Sequence, residues 1–305
     1  MGNTKSMSEE DFLKKHLETS DKKNIEVPTN LEKDNNTISD LQFFSIDVKD
    51  LPCGRFYPIG TTLMVRPAII KEIQAYSMVD NNNFHDIIDK MNNMLQSCVR
   101  VKYPDGNVKS YLDVKDQDRL YVIFLIRELT FQQGNSLEVN AKGPNGENCK
   151  IELVRKNFRF HETESKVEKY YNKSKGAFIF ETKNNKTFEI TPPTIGLQKS
   201  FTDYIIKENS ENNSPNLSFL KVIPYLLGGR SGITIEGIKA KLHDYEQIDD
   251  ISFQFLNAVI DKMSFGIKEL VKEIDGQEVR AEMQFPNGAS GIFVISDAFE
   301  AFIKE

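Results

Sequence analysis

The chain has little of what extracellular, membrane-spanning or metal-holding proteins are built from. It carries 3 cysteines in 305 residues, Cys53, Cys98 and Cys149. So sparse and odd a set gives no disulfide framework and fits a reducing compartment. Its 4 histidines, His16, His85, His161 and His243, include no pair at the spacing of a zinc-binding helix. The longest apolar run, "YVIFLI" at 121–126, is far too short to cross a bilayer and predicts a buried segment. The opening "MGNTKSMSEE" lacks the apolar stretch of a secretory signal. Positive charge is not in excess either: 39 Lys and Arg face 45 Asp and Glu, for a formal net charge of -6. Affinity for a phosphate backbone is built from clustered cations, so nucleic acid is not an expected partner.

What is present is unevenly distributed. Residues 1–40 are polar almost throughout, with Phe12 the sole aromatic. A segment of that composition cannot repay its ordering entropy by burying itself, and reads as a flexible or extended arm. Its one small apolar cluster, around Phe12 in "SEEDFLKKHLE", makes Phe12 a candidate contact to a neighbouring chain. From residue 41 the apolar content rises. "LQFFSIDV" and "TTLMV" predict strands, followed by amphipathic helices from "PAIIKEIQAYS" and "NNFHDIIDKMNNMLQSCV". "VKYPDGNVKSY" carries an Asp-Gly hairpin signal, and "DRLYVIFLIRELTF" is the strongest helix.

Between 133 and 193 the period changes to two, and four strands around turn-rich loops predict a small antiparallel β module. Residues 201–305 read as mainly helical, with one helix running through "QIDDISFQFLNAVIDKMSFGIKEL". A last hairpin, "EVRAEMQF" and "SGIFVIS", would turn at Pro-Asn-Gly. The fold class expected is α+β: a mainly helical body with small antiparallel β-hairpin modules and a polar N-terminal arm. The expected divisions are an arm over 1–40, an α+β domain over 41–200 and a helical C-terminal region over 201–305.

Candidate chemistry is thin. "FHETE" at 160–164 groups His161 with two glutamates, and nothing nearby completes a ligand set. Asp113, Asp116 and Asp118 crowd one helix start, where the helix dipole accounts for them. "LLGGRSGITIEG" at 226–237, with Arg230, resembles a phosphate-cradling loop only loosely and is better explained as a helix end and connection. It supports the rival expectation, a small-molecule or nucleotide-binding enzyme. No catalytic group, metal or cofactor is expected.

The densest stretch is "LPCGRFYPIGTTLMVRP" at 51–67. Pro52 and Pro58 restrict φ, and Gly54 permits a positive φ where the chain reverses. Phe56 and Tyr57 are free to anchor the turn in the body or to meet a partner. Arg55 and Arg66 are left to pair with carboxylates, within the chain or across an interface. Arg55, Phe56, Tyr57 and Arg66 are therefore the interface candidates, together with Phe12. Cys53, between Pro52 and Gly54, would need a neighbouring base to act as a nucleophile.

This stretch resembles the opening of baseplate hub and hub-assembly proteins of T4-like contractile-tailed phages. Leu51, Pro52, Gly54, Tyr57, Pro58, Arg66, Pro67, Lys71 and Glu72 match that pattern, while Cys53 alone fills a gap of two residues. "DRLYVIFLIRELTF" and "KTFEITPPTIG" resemble the family's central helix and the segment after its β module. The likeness extends over roughly residues 50–200. Many relatives carry a Cys-x-x-Cys pair in the β module, as in a zinc ribbon. Here that turn reads "AKGPNGENCK", with Ala141 and Pro144 and only Cys149 left, so no Cys₄ site can form within the chain. The resemblance implies a non-enzymatic role in building or capping a tail baseplate hub. It implies contacts with other tail or hub proteins or with copies of itself, in the virion baseplate or in the host cytoplasm during assembly.

Overall fold

The computed structural model describes residues 42–131, 137–181, 186–213, 217–228, 233–274, 276–285 and 288–293. Phe12, the arm and Arg230 lie outside the described residues. Among the described residues the fold is α+β, with α-helices set among four small antiparallel sheets.

The first sheet grows from local hairpins. β1 (Phe44–Asp47) pairs with β2 (Thr62–Val65) across the bend. Two helices follow, α1 (Ile70–Ser77) and α2 (Phe84–Cys98), and then β3 (Val99–Lys102) and β4 (Val108–Ser110) complete the order β1-β2-β3-β4. Leu63 stands opposite Val101 and Val65 opposite Val99, and all four are fully buried. The two-residue period thus lays one face of the sheet on the core. Not every apolar position on the helices is used this way: Tyr76 is buried, whereas Ile70 and Phe84 are exposed.

α3 (Arg119–Thr130) is the central helix, with every residue from Tyr121 to Arg127 buried. A helix buried all round must be packed on every side, which is what "YVIFLI" predicts. β5 (Glu138–Lys142) and β6 (Asn148–Glu152) form a two-stranded hairpin. After β7 (Phe158–Phe160) and the short α4 (Ser165–Glu168), β8 (Tyr171–Asn172), β9 (Ala177–Glu181) and β10 (Thr187–Ile190) make a separate sheet. The helices α5 (Ile195–Ser210), α6 (Leu217–Leu226), α7 (Ile235–Glu246) and α8 (Asp250–Asp261) come next. The chain then forms β11 (Ile267–Ile274) and β12 (Gln277–Ala281).

Three expectations are corrected. The strands of 133–193 are not one module, because β5–β6 stands alone, β8–β10 form their own sheet and β7 pairs with the distant β11. The helix expected through residue 270 stops at Asp261; Gly266, at φ 94, reverses the chain and "IKEL" enters β11. The late hairpin therefore joins β11 to β12, with Gly276 at φ 76 in its turn. "SGIF" lies instead in a 3₁₀ segment, Ala289–Phe293, that buries Ile292 and Phe293. Its apolar run serves the core without pairing.

The described residues belong to one unit. Its largest apolar core joins Leu63, Val101 and Phe178 to Val222, Leu256 and Phe293, so side chains from both sides of residue 200 share it. The β5–β6 and β11–β12 hairpins meet over Val139, Ile151, Leu270 and Val279, with Phe124 of α3 beneath them.

Candidate functional site at the proline–glycine bend

The stretch 48–57 descends through consecutive tight turns. Leu51 N–H donates to Val48 O at 3.0 Å, Gly54 N–H to Leu51 O at 2.9 Å, and Tyr57 N–H to Gly54 O at 3.2 Å. Pro52 and Pro58 flank these turns, as the sequence suggests. Gly54 has a different role from the one expected. Its φ is not positive; a Cβ there would sit 2.2 Å from Val48 O and 2.9 Å from Lys49 Cα. Only glycine lets the two backbone segments approach so closely.

Phe56 turns inward, with its ring 5.8 Å from that of Tyr171 and 5.1 Å from that of Phe265, both edge-on. Cys53 and Tyr57 are buried beside it. Their polar groups converge on Asp118, which is fully buried at the start of α3. Cys53 N–H donates to Asp118 Oδ1 and the Tyr57 hydroxyl to Asp118 Oδ2, each at 2.8 Å. The Tyr57 hydroxyl in turn accepts from Lys115 N–H at 2.7 Å, and Lys115 Nζ donates to Pro192 O at 3.0 Å. The bend, the entry to α3 and the segment before α5 are thus tied by one polar network, in which each bond polarises and strengthens the next.

Burial dominates the electrostatics. It pushes Asp118 up to about 7, against the two donated hydrogen bonds and the Lys115 charge, which favour the carboxylate. Burial also raises the Cys53 thiol well above its ordinary value, helped by the Asp118 charge, and raises the Tyr57 phenol in the same way. Lys115 is lowered, because burial costs its ammonium more than nearby negative groups return. Cys53 therefore lacks the electropositive, open setting of a reactive thiol.

Phe56, Tyr57 and Arg66, three of the interface candidates, are all largely buried in their own chain. Arg66 forms a bidentate pair with Glu72, NH1 to Oε2 at 3.0 Å and NH2 to Oε1 at 2.6 Å. Glu72 Oε2 also accepts Ile69 N–H at 2.9 Å. One carboxylate so caps α1 and fixes the end of β2, and Pro67 lies ahead of the helix instead of in its first turn. Arg55 is partly exposed. It pairs with Glu168, with NH1 at 2.7 Å from Oε1, and lies 4.5 Å from the Tyr171 ring centroid.

Beside the bend is a cavity of about 760 Å³ that opens to solvent. Tyr57 and Lys115 reach it from the network, Thr191 and Thr194 from the segment before α5, Lys173 from the β8–β9 turn and Gly228 from the end of α6. Ile59, 77% exposed, stands on its rim. The bend and the start of the 226–237 loop therefore border one space. His85, His161 and His243 are exposed and none lines it. Among the described residues, no three His, Cys, Asp or Glu side chains are grouped to hold a metal.

No family model, curated protein or solved structure matches the chain.

The sequence does not single out Asp118 or Lys115. The acids at 113–118 read as dipole partners of a helix, yet Asp118 makes no side-chain bond to that helix and Asp116 pairs with Arg119. The available signal was a run of ionisable residues directly ahead of the most apolar helix, where burial of one of them is hard to avoid.

Proposed function

We propose that the chain is a non-enzymatic component or assembly factor of a contractile phage tail baseplate hub and acts through protein contacts. One observation carries the protein-contact reading: the ionisable groups of the bend are spent on holding its shape, while Ile59 and the cavity beside it stay open. The residues that resemble the hub family, Pro52, Gly54, Tyr57, Arg66 and Glu72, are the ones that make this shape, which supports placing the contact in a hub. The test is to quantify the protein by mass spectrometry in purified virions and in tail-assembly intermediates. Stoichiometric presence in particles indicates a lasting part, and presence in intermediates alone an assembly factor. Absence from both, with no tail protein co-purifying, overturns the proposal.

A second reading is favoured by Gly228, the residue that opens the glycine-rich stretch, which lines the cavity. A small ligand bound there would give a saturable thermal shift in a screen of nucleotides and divalent metals. Such a shift would displace the first reading.

A further inference from the structure

Two polar groups in the cavity are not fully used. Lys115 is 6% exposed, and its ammonium, with three N–H donors, meets one hydrogen-bond acceptor among the described residues, Pro192 O. Thr191 is also 6% exposed, and its Oγ1 has no hydrogen-bond partner among the described residues. Both line the same space and belong to adjoining strands of chain: Lys115 bridges to Thr194, and Asp116 N–H donates to Pro193 O at 2.9 Å. Buried polar groups are normally satisfied, so an ammonium with spare donors and an orphaned hydroxyl lining one space call for an acceptor from outside.

Charge narrows the choice of acceptor. Three of the lining cations are already matched: Lys49 with Asp47 at 3.3 Å, Lys175 with Glu189 at 3.5 Å, and Arg55 with Glu168. Lys115 and Lys173 have no direct ion pair among the described residues, although the Asp118 and Asp113 charges act on Lys115, and Asp113 lines the same space. A dianionic phosphate needs more cations or a free helix start. The α5 start is closed by its own Thr194, whose Oγ1 accepts Leu197 N–H at 3.2 Å. One negative charge with two acceptor oxygens suits one ammonium and one hydroxyl. The space is also larger than one acidic side chain requires, and it ends at the exposed apolar Ile59.

We infer that this cavity receives an aspartate or glutamate carboxylate from an extended segment of a partner protein, seated on Lys115 and Thr191, with neighbouring partner residues reaching Ile59. This rests on the protein-contact reading above and names the chemistry of that contact.

The test is titration calorimetry of the full chain with terminally blocked peptides of alternating serine and aspartate, against the serine–asparagine equivalent and against acetate. One-to-one saturable binding is expected for the aspartate peptide, about tenfold or more tighter than for the asparagine peptide. Lys115→Met is expected to remove that preference. Because Lys115 also holds Pro192, Thr191→Val serves as a second variant; it keeps the shape and is expected to weaken the aspartate peptide several-fold. Equal binding of the two peptides, or a Thr191→Val protein that binds as the wild type does, overturns the site. Acetate binding as tightly as the peptide overturns the partner-segment part. If the peptides fail while tail proteins still co-purify, only this site falls; if the peptides bind and no tail protein does, only the hub assignment falls.

Discussion

Tyr57 and Asp118, 61 residues apart in sequence, meet hydroxyl to carboxylate at 2.8 Å in the interior. The contact joins the bend to the first turn of the central helix, and Cys53 N–H completes it from the other side. Removing the carboxylate strands two buried donors at once. Asp118→Ala is expected to cost about 3 kcal/mol or more, by the usual penalty for breaking a buried charged hydrogen-bond set. Urea unfolding checks this, and a loss below about 1 kcal/mol would mean the network does not hold the bend.

The same residue gives the protein a pH signature. The folded-state value of Asp118, about 7, lies above that of an unfolded aspartate, about 4. Between those limits the folded chain holds the extra proton. The stability contributed by this group is therefore present at low pH and lost as pH rises to about 7. Glu72 runs the other way: burial raises it, but Arg66 and Ile69 N–H outweigh burial and lower it, so its contribution is lost on acidification. Comparing wild type with Asp118→Asn isolates the first effect. Relative to the variant, the wild type should lose stability between about pH 4.5 and about pH 7. A flat difference would refute the buried-acid account.

Gly54 offers a purely steric test. A methyl group 2.2 Å from Val48 O cannot be absorbed by a flexible side chain, because the obstacle is backbone. Gly54→Ala is expected to destabilise by about 3 kcal/mol through forced displacement of the 48–57 turns. Gly106→Ala serves as the control, since its φ of 87 is strained but no atom lies within 4 Å. The Gly54 variant should show the larger drop in thermal midpoint.

Thiol chemistry separates the assembly reading from a cysteine enzyme. Cys53 and Cys98 are buried, and burial raises both thiols, Cys98 up to about 12. Cys149 is only half-buried on β6. An Ellman titration of the native protein should therefore show one promptly reacting thiol, lost in Cys149→Ser, with the other two appearing on unfolding. Rapid labelling of Cys53 in the native state would reopen the nucleophile question.

The local features were the legible ones. β1, β2 and the Asp-Gly hairpin follow from alternation and turn chemistry, and α3 follows from its apolar run. The C-terminal segment misleads because Phe265, Gly266 and Ile267 continue a plausible helical pattern until the glycine takes φ 94. β7 could not be assigned to β11, since their pairing spans over a hundred residues and leaves no local mark. At the site, the residues of the bend stood out in the sequence, whereas their partners did not. Asp118 looks like any helix-start acid, and Thr191 and Lys115 are ordinary until the fold seals them in.

The polar knot under the bend also sets an order of events during synthesis. A nascent chain that has emerged only as far as residue 110 already holds both prolines and Gly54, but neither the acceptor for Cys53 and Tyr57 nor the carbonyl for Lys115. The reversal can be locked only after Asp118 and then Pro192 leave the ribosome. The corner can therefore be completed only once about two thirds of the polypeptide exists, a delay in folding that is built into the order of the sequence.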